Sequence, residues 1–135
     1  MNAPRPIKRI LIVEDEANIL EALSFILNRA GWDVRGHGKG DNAVEEVLRL
    51  SPDMLVLDVM LPGRSGLDIL RDLRSRAETK DIPVLMLTAK GQAKDRDEAL
   101  ASGADAFLTK PFSNTDLVDV VARLVPEATV PQREA

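Results

Sequence analysis

Short apolar runs alternate with longer amphipathic stretches along the chain. Lys8–Val13 (KRILIV) is a continuous β-rich run, as expected of a strand buried on both faces. The next apolar residues, Ile19, Leu20, Leu23, Ile26, Leu27 and Ala30, recur at helical spacing, and Gly31 stands where a helix stops. Trp32–Gly36 (WDVRG) predicts a second, short strand. Asp41 is placed to cap a second helix carrying Ala43, Val44, Val47 and Leu48, which Pro52 ends. Asp53–Leu57 (DMLVL) predicts a third strand, with Pro62-Gly63 in the loop turn that follows. A third helix is expected from Gly66 to Ala77, a fourth strand at Val84–Thr88 (VLMLT), and a charged fourth helix from Gln92 to Ser102 that Gly103 stops. Asp105–Thr109 (DAFLT) predicts a fifth strand. Ser113 and Asp116 have capping-box spacing ahead of a last helix that Pro126 ends.

Strands and helices in strict alternation imply short βα units, right-handed crossovers and a five-stranded parallel sheet with helices on both faces. The expected organisation is an N-terminal extension (1–7), one doubly wound α/β domain (8–125) and a polar tail (126–135). No stretch is left for a separate output module, so a stand-alone domain is expected. The fourth helix, QAKDRDEALAS, offers few large apolar side chains and should be weakly anchored. The last helix has a wider apolar arc than packing on one sheet face needs. That excess fits either a contact surface or a deeply buried terminal helix.

One residue disturbs the pattern. Asp58 interrupts the apolar run that Met54–Leu57 begins and Val59–Leu61 resumes, although an unpaired carboxylate is costly to bury. An open parallel sheet binds ligands at the carboxyl ends of its strands, and polar residues follow the strands at that end. Glu14-Asp15-Glu16 follows the first strand and Asp58 the third, while Thr88 ends the fourth and Thr109-Lys110-Pro111 closes the fifth. Asp58 is therefore expected at the rim of the core.

Composition narrows the chemistry. The chain of 135 residues has no cysteine, which removes disulfides, thiol catalysis and thiolate-ligated zinc. No apolar stretch is long enough to span a bilayer and no signal peptide is visible, so a cytoplasmic protein without membrane contact is expected. A net charge of −4 argues against direct nucleic-acid binding. Carboxylates gathered at one strand end would repel each other. An oxygen-only ligand set favours Mg²⁺ as the ion that relieves this. Lys110 can add a point charge and the Thr88 hydroxyl can donate to a phosphoryl oxygen. Together these residues suit phosphoryl transfer onto a carboxylate nucleophile.

The set EDE after the first strand, LDVMLPGRSG around the third, TAKG after the fourth and LTKPF after the fifth resembles the receiver domain of two-component response regulators. The likeness runs from about Lys8 to Val125. It implies a flavodoxin-like (βα)5 fold with strand order 2-1-3-4-5. It also implies that Asp58 accepts a phosphoryl group from a phosphohistidine on a sensor histidine kinase or a histidine phosphotransfer protein. By the same resemblance Asp15, Asp58 and the backbone carbonyl of Met60 hold Mg²⁺, with Glu14 reaching it through water. Thr88 and Lys110 contact the phosphoryl group, and the Lys110–Pro111 bond is cis. Phosphorylation in the family draws the hydroxyl at the Thr88 position inward while an aromatic on the fifth strand rotates. That aromatic is Phe107 here, which can fill the space but has no hydroxyl. The resemblance makes the chain a signalling phosphoacceptor rather than an enzyme. If the wide apolar arc of the last helix marks a contact surface, the expected partner is an effector, or a second copy of the chain, docked on the face made by helix four, strand five and helix five.

Two other readings fit less well. A haloacid-dehalogenase-type phosphatase wants an acid two residues after its nucleophile, and that position is Met60. An FMN carrier must cradle a phosphate in its first loop, where Glu14, Asp15 and Glu16 would repel one.

Overall fold

A computed structural model describes residues 8–89 and 93–125. The expected extension (1–7) and tail (126–135), together with Gln92 and Pro126, lie outside the described residues. The elements alternate as β1 (Arg9–Val13), α1 (Ala17–Arg29), β2 (Asp33–His37), α2 (Ala43–Leu50), β3 (Met54–Asp58), α3 (Gly66–Arg74), β4 (Val84–Thr88), α4 (Ala93–Ala101), β5 (Ala106–Thr109) and α5 (Asn114–Leu124). All strand pairings are parallel and the sheet order is β2-β1-β3-β4-β5.

Successive strand residues face opposite sides of a sheet, and this alternation divides the core in two. Leu11, Val13, Leu55, Leu57, Val84 and Met86 pack with α2, α3 and Ala99 of α4. Ile10, Ile12, Met54, Val56, Leu85 and Leu87 pack with α1, α5 and Trp32. The three central strands bury every residue but Arg9, which explains why they read as continuous apolar runs. The helices differ in how firmly they are held. Leu117, Val120 and Val121 fix α5, whereas Ala99 is the single fully buried residue of α4.

Several boundaries differ from those expected, and at each a polar side chain has found a partner. Asp53 and Asp105 precede β3 and β5 instead of opening them. Their carboxylates accept from the first amides of the neighbouring strands, Arg9 N–H and Val84 N–H, each at 2.8 Å. Asn42 takes the N-cap position expected of Asp41, but its Oδ1 lies 2.7 Å from His37 Nε2 and does not cap the helix. The α3 helix stops at Arg74, short of Ala77. Ser75 Oγ donates back to the Asp72 carbonyl and buried Thr79 Oγ1 donates to the Leu73 carbonyl, each at 2.6 Å, so side chains satisfy two of the final carbonyls. Ser113 behaves as expected: its Oγ accepts from Asp116 N–H at 2.9 Å and opens α5.

Candidate functional site

Glu14 and Asp58 are brought together by the β1–β3 pairing, in which Val13 lies opposite Leu57. The residue after each of these is therefore a carboxylate at the same edge. Glu14 donates its N–H to the His37 carbonyl at 3.0 Å, and its Oε2 accepts from Glu16 N–H at 3.0 Å. Asp58 is the last residue of β3, in register with Leu87 of β4, rather than the first residue beyond the strand. Its Oδ1 accepts from Met60 N–H at 3.2 Å. Glycine at position 66 matters here. A Cβ there would stand 2.1 Å from the Asp58 carbonyl oxygen, so its absence lets the first turn of α3 close onto the end of β3.

Lys110 joins the two acids. Its Nζ donates to Glu14 Oε1 at 3.1 Å and to Asp58 Oδ2 at 3.2 Å. Its backbone N–H is held by the Thr88 carbonyl at 2.7 Å, across the β4–β5 pairing, and its bond to Pro111 is cis. Asp15 completes the group. One carboxylate oxygen from each of Glu14, Asp15 and Asp58 falls within 4.8 Å of the others. Glu14 is only 1% exposed and Asp58 3%, whereas Asp15 is open to solvent. A small pocket of about 200 Å³ opens onto Asp15, Glu16, Asp58, Met60, Ala89 and Lys110.

The charges are unbalanced. Burial pushes the Glu14 carboxyl above its ordinary pKa, and the Asp58 charge adds to that, against the hydrogen bonds from Glu16 N–H and Lys110. Burial also works against the Lys110 charge. Its hydrogen bond to Glu14 and the fields of Asp58 and Glu14 outweigh that burial, so its pKa lies above the ordinary value. With every group ionised, three carboxylates face one ammonium. The surplus of two negative charges and the all-oxygen donor set suit a hard divalent cation such as Mg²⁺.

The remaining expected residues lie beside this pocket. Thr88 is buried at the end of β4 and lines an adjacent cleft of about 300 Å³ with Val59, Met60, Leu67, Asp95 and Glu98. Met60 projects into solvent between the two openings, 67% exposed. Phe107 is half-buried on β5, opposite Met86, and packs against the core on the α2–α3–α4 side. Sequence reasoning missed two contributors to the geometry, Gly66 and the backbone N–H of Glu16. The first lay within the quoted PGRSG stretch; backbone donors leave no mark in a sequence.

A family model for the response regulator receiver domain matches residues 10–122. The chain belongs to this family. The Klebsiella pneumoniae phosphate regulon transcriptional regulatory protein PhoB is 45% identical to this receiver domain over 125 residues, covering 90% of the chain and 55% of PhoB. Among solved structures, a response regulator from Chloroflexus aurantiacus is 34% identical with a TM-score of 0.85, covering 88% of this chain and 98% of that one. The receiver domain of the Pseudomonas aeruginosa sensor histidine kinase PA1611, solved with a magnesium ion coordinated in its active site cleft, is 27% identical with a TM-score of 0.82. The match covers 90% of this chain and 99% of that one. These likenesses agree with the observed sheet order. The receiver domain spans about half the length of the curated relatives it matches, and they lend no support to the stand-alone reading. Receiver domains are signalling phosphoacceptors of two-component systems, generally not classed as enzymes, with Mg²⁺ at an acidic site and a histidine kinase and an effector as partners. Among the described residues no helix is long and apolar enough to cross a membrane.

Proposed function

We propose that this receiver domain accepts a phosphoryl group on Asp58 from a phosphohistidine donor and changes a partner-binding surface in response. The observation that carries this reading is the Lys110 ammonium bridging Glu14 and Asp58 beside an open pocket, with Asp15 within reach. An Asp58 carboxylate oxygen attacks phosphorus, a P–O bond forms, the donor P–N bond breaks and the imidazole leaves with a proton. Asp15, Asp58 and the Met60 carbonyl would hold Mg²⁺, with Glu14 acting through water. The magnesium bound in the PA1611 receiver supports that assignment. The ion supplies positive charge for the phosphoryl oxygens. Lys110 keeps a fixed cation at the same spot, and its half-buried, doubly hydrogen-bonded position means that little reorganisation accompanies the transfer.

The Thr88 hydroxyl turns toward the new phosphoryl oxygen and Phe107 moves into the space released. The surface that reads this change is the α4–β5–α5 face. There α4 is thinly anchored, Leu100 is exposed, and Val118 and Ala122 stay half-buried on α5. It would dock an effector or a second copy of the chain. Incubation with Mg²⁺ and a small phosphodonor should add one phosphoryl group per chain by mass spectrometry, and Asp58→Asn should abolish it. Labelling that persists in the variant, or that never forms in the wild type, defeats the assignment.

A further inference from the structure

The loop carrying Met60 is anchored at its ends, where Val59 N–H donates to the Leu87 carbonyl and the Val59 carbonyl accepts from Gly66 N–H, each at 2.9 Å. Arg64 pairs with Asp72 at 3.1 Å, while Met60, Pro62 and Gly63 between these anchors are exposed. Between the end of β3 and the start of α3, Met60 projects outward, and its N–H reaches Asp58 Oδ1. The β2–α2 loop meets this segment from the side. Gly40 N–H donates to the Pro62 carbonyl at 3.1 Å. The two backbones are so close that a Cβ at Gly40 would stand 2.3 Å from the Arg64 carbonyl oxygen and 3.0 Å from Arg64 N. Both obstacles are backbone atoms, so no side-chain rotation could make room. The same β2–α2 connection begins at His37, whose carbonyl accepts from Glu14 N–H. The end of β2 and the loop that follows it thus touch Glu14 on one side and the segment that follows Asp58 on the other.

We infer that Gly40 is a positioning residue: by permitting backbone contact between residues 40 and 62–64, it holds the Met60 segment in the course that the Mg²⁺ site needs. This rests on the Mg²⁺ reading of the site given above. Groups that orient metal ligands from outside the ligand set typically change affinity about 10- to 100-fold when altered. Gly40→Ala forces the two loops apart and should weaken Mg²⁺ binding about tenfold by titration calorimetry. It should also speed hydrogen exchange at the Met60 amide in metal-free protein. Two controls separate positioning from general destabilisation. At Gly38, in the same loop, the nearest atom to an added Cβ is Glu14 O at 3.9 Å, so Gly38→Ala should bind Mg²⁺ normally. Leu27→Ala opens the core on α1 and should lower the melting temperature while leaving Mg²⁺ affinity unchanged.

Should Gly40→Ala fail to fold, inserting two glycines between Gly38 and Lys39 slackens the loop without adding a side chain, and the same loss of affinity is expected. Unchanged affinity and unchanged Met60 exchange in the folded variant overturn the inference. So does an equal loss of affinity in Leu27→Ala, or undiminished affinity in the insertion variant where that variant must stand in. A wild-type chain that binds no Mg²⁺ overturns the metal reading instead, and the metal-free exchange at Met60 still decides whether Gly40 positions the segment.

Discussion

The two rims of the sheet are built from the same kinds of residue and treat charge in opposite ways. At the rim where the strands begin, acids meet guanidinium groups and backbone donors. Arg9 Nε pairs with Asp33 at 3.1 Å and its Nη1 donates to the Leu50 carbonyl, while Asp53 accepts from the Arg9 amide. Arg74 donates to the carbonyls of Gly103, Thr79, Lys80 and Ile82 and pairs with Asp105. At the rim where the strands end, Glu14 and Asp58 share one lysine and Asp15 gathers beside them. The first arrangement stabilises the fold. The second stores a surplus of negative charge that a bound cation can relieve, which is how a site gains affinity at the expense of resting stability.

Removing the Lys110 ammonium from the functional rim should have the largest effect. Lys110→Met leaves buried Glu14 and Asp58 without their partner, and breaking a buried pair in this way costs about 3 kcal/mol. Urea denaturation without metal should show that loss, and adding Mg²⁺ should recover part of it. No recovery would mean that lysine and metal ion do not serve the same carboxylates. Arg74→Ala tests the other rim. Several carbonyls lose a charged donor at once, and about 2 kcal/mol should disappear, discounted because Asp105 is partly exposed. Mg²⁺ affinity by calorimetry should not change, which would establish that the rims act independently.

Mg²⁺ itself should stabilise the wild type by about 1.4 kcal/mol at tenfold its Kd, a shift of several degrees in Tm. The pH dependence has a definite sign. The folded-state pKa of Glu14 is raised above its ordinary 4.5, so the folded chain holds that proton more tightly than the unfolded one. Metal-free stability should fall as pH rises from 4.5 through the raised value, and Mg²⁺ should flatten this slope. Thermal melts across that range, with and without the ion, check both statements. The smallest effect belongs to Asp33. Its carboxyl is held below the ordinary value of 3.8, first by the hydrogen bond from Arg35 and then by that from Arg9. A depressed acid stabilises above its unfolded pKa, and that stability is lost as pH falls through the folded one. Asp33→Asn should therefore cost about 0.5 kcal/mol at neutral pH, given its exposure, and nothing at strongly acidic pH.

Legibility in the sequence followed the physical range of each interaction. The β4 strand was readable to the residue because Val84–Thr88 is apolar until its polar end and Pro83 precedes it. The α3 helix was overrun by three residues because Ser75 and Thr79 turn their hydroxyls onto its last carbonyls, contacts with no periodic signature. Asp58 was expected just past β3 and belongs to it. Its backbone extends the parallel ladder with β4 whatever its side chain, and Lys110, 52 residues away, accompanies its charge. The gathering of Glu14, Asp15, Asp58 and Lys110 could be anticipated, since topology sends all strand ends to one rim. Gly40 could not, because nothing in GHGKGDN records which backbone will lie against it.

The amino-acid pattern alone specified the alternation of strands and helices along the chain and the rim on which the acids collect. Both follow from local periodicity and the handedness of βα crossovers. Tertiary structure decided which acids share the lysine, how deeply Glu14 and Asp58 are buried, and where two loops touch backbone to backbone. Those depend on contacts across tens of residues, and short-range patterning carries no information about distances between segments that meet only when the sheet closes.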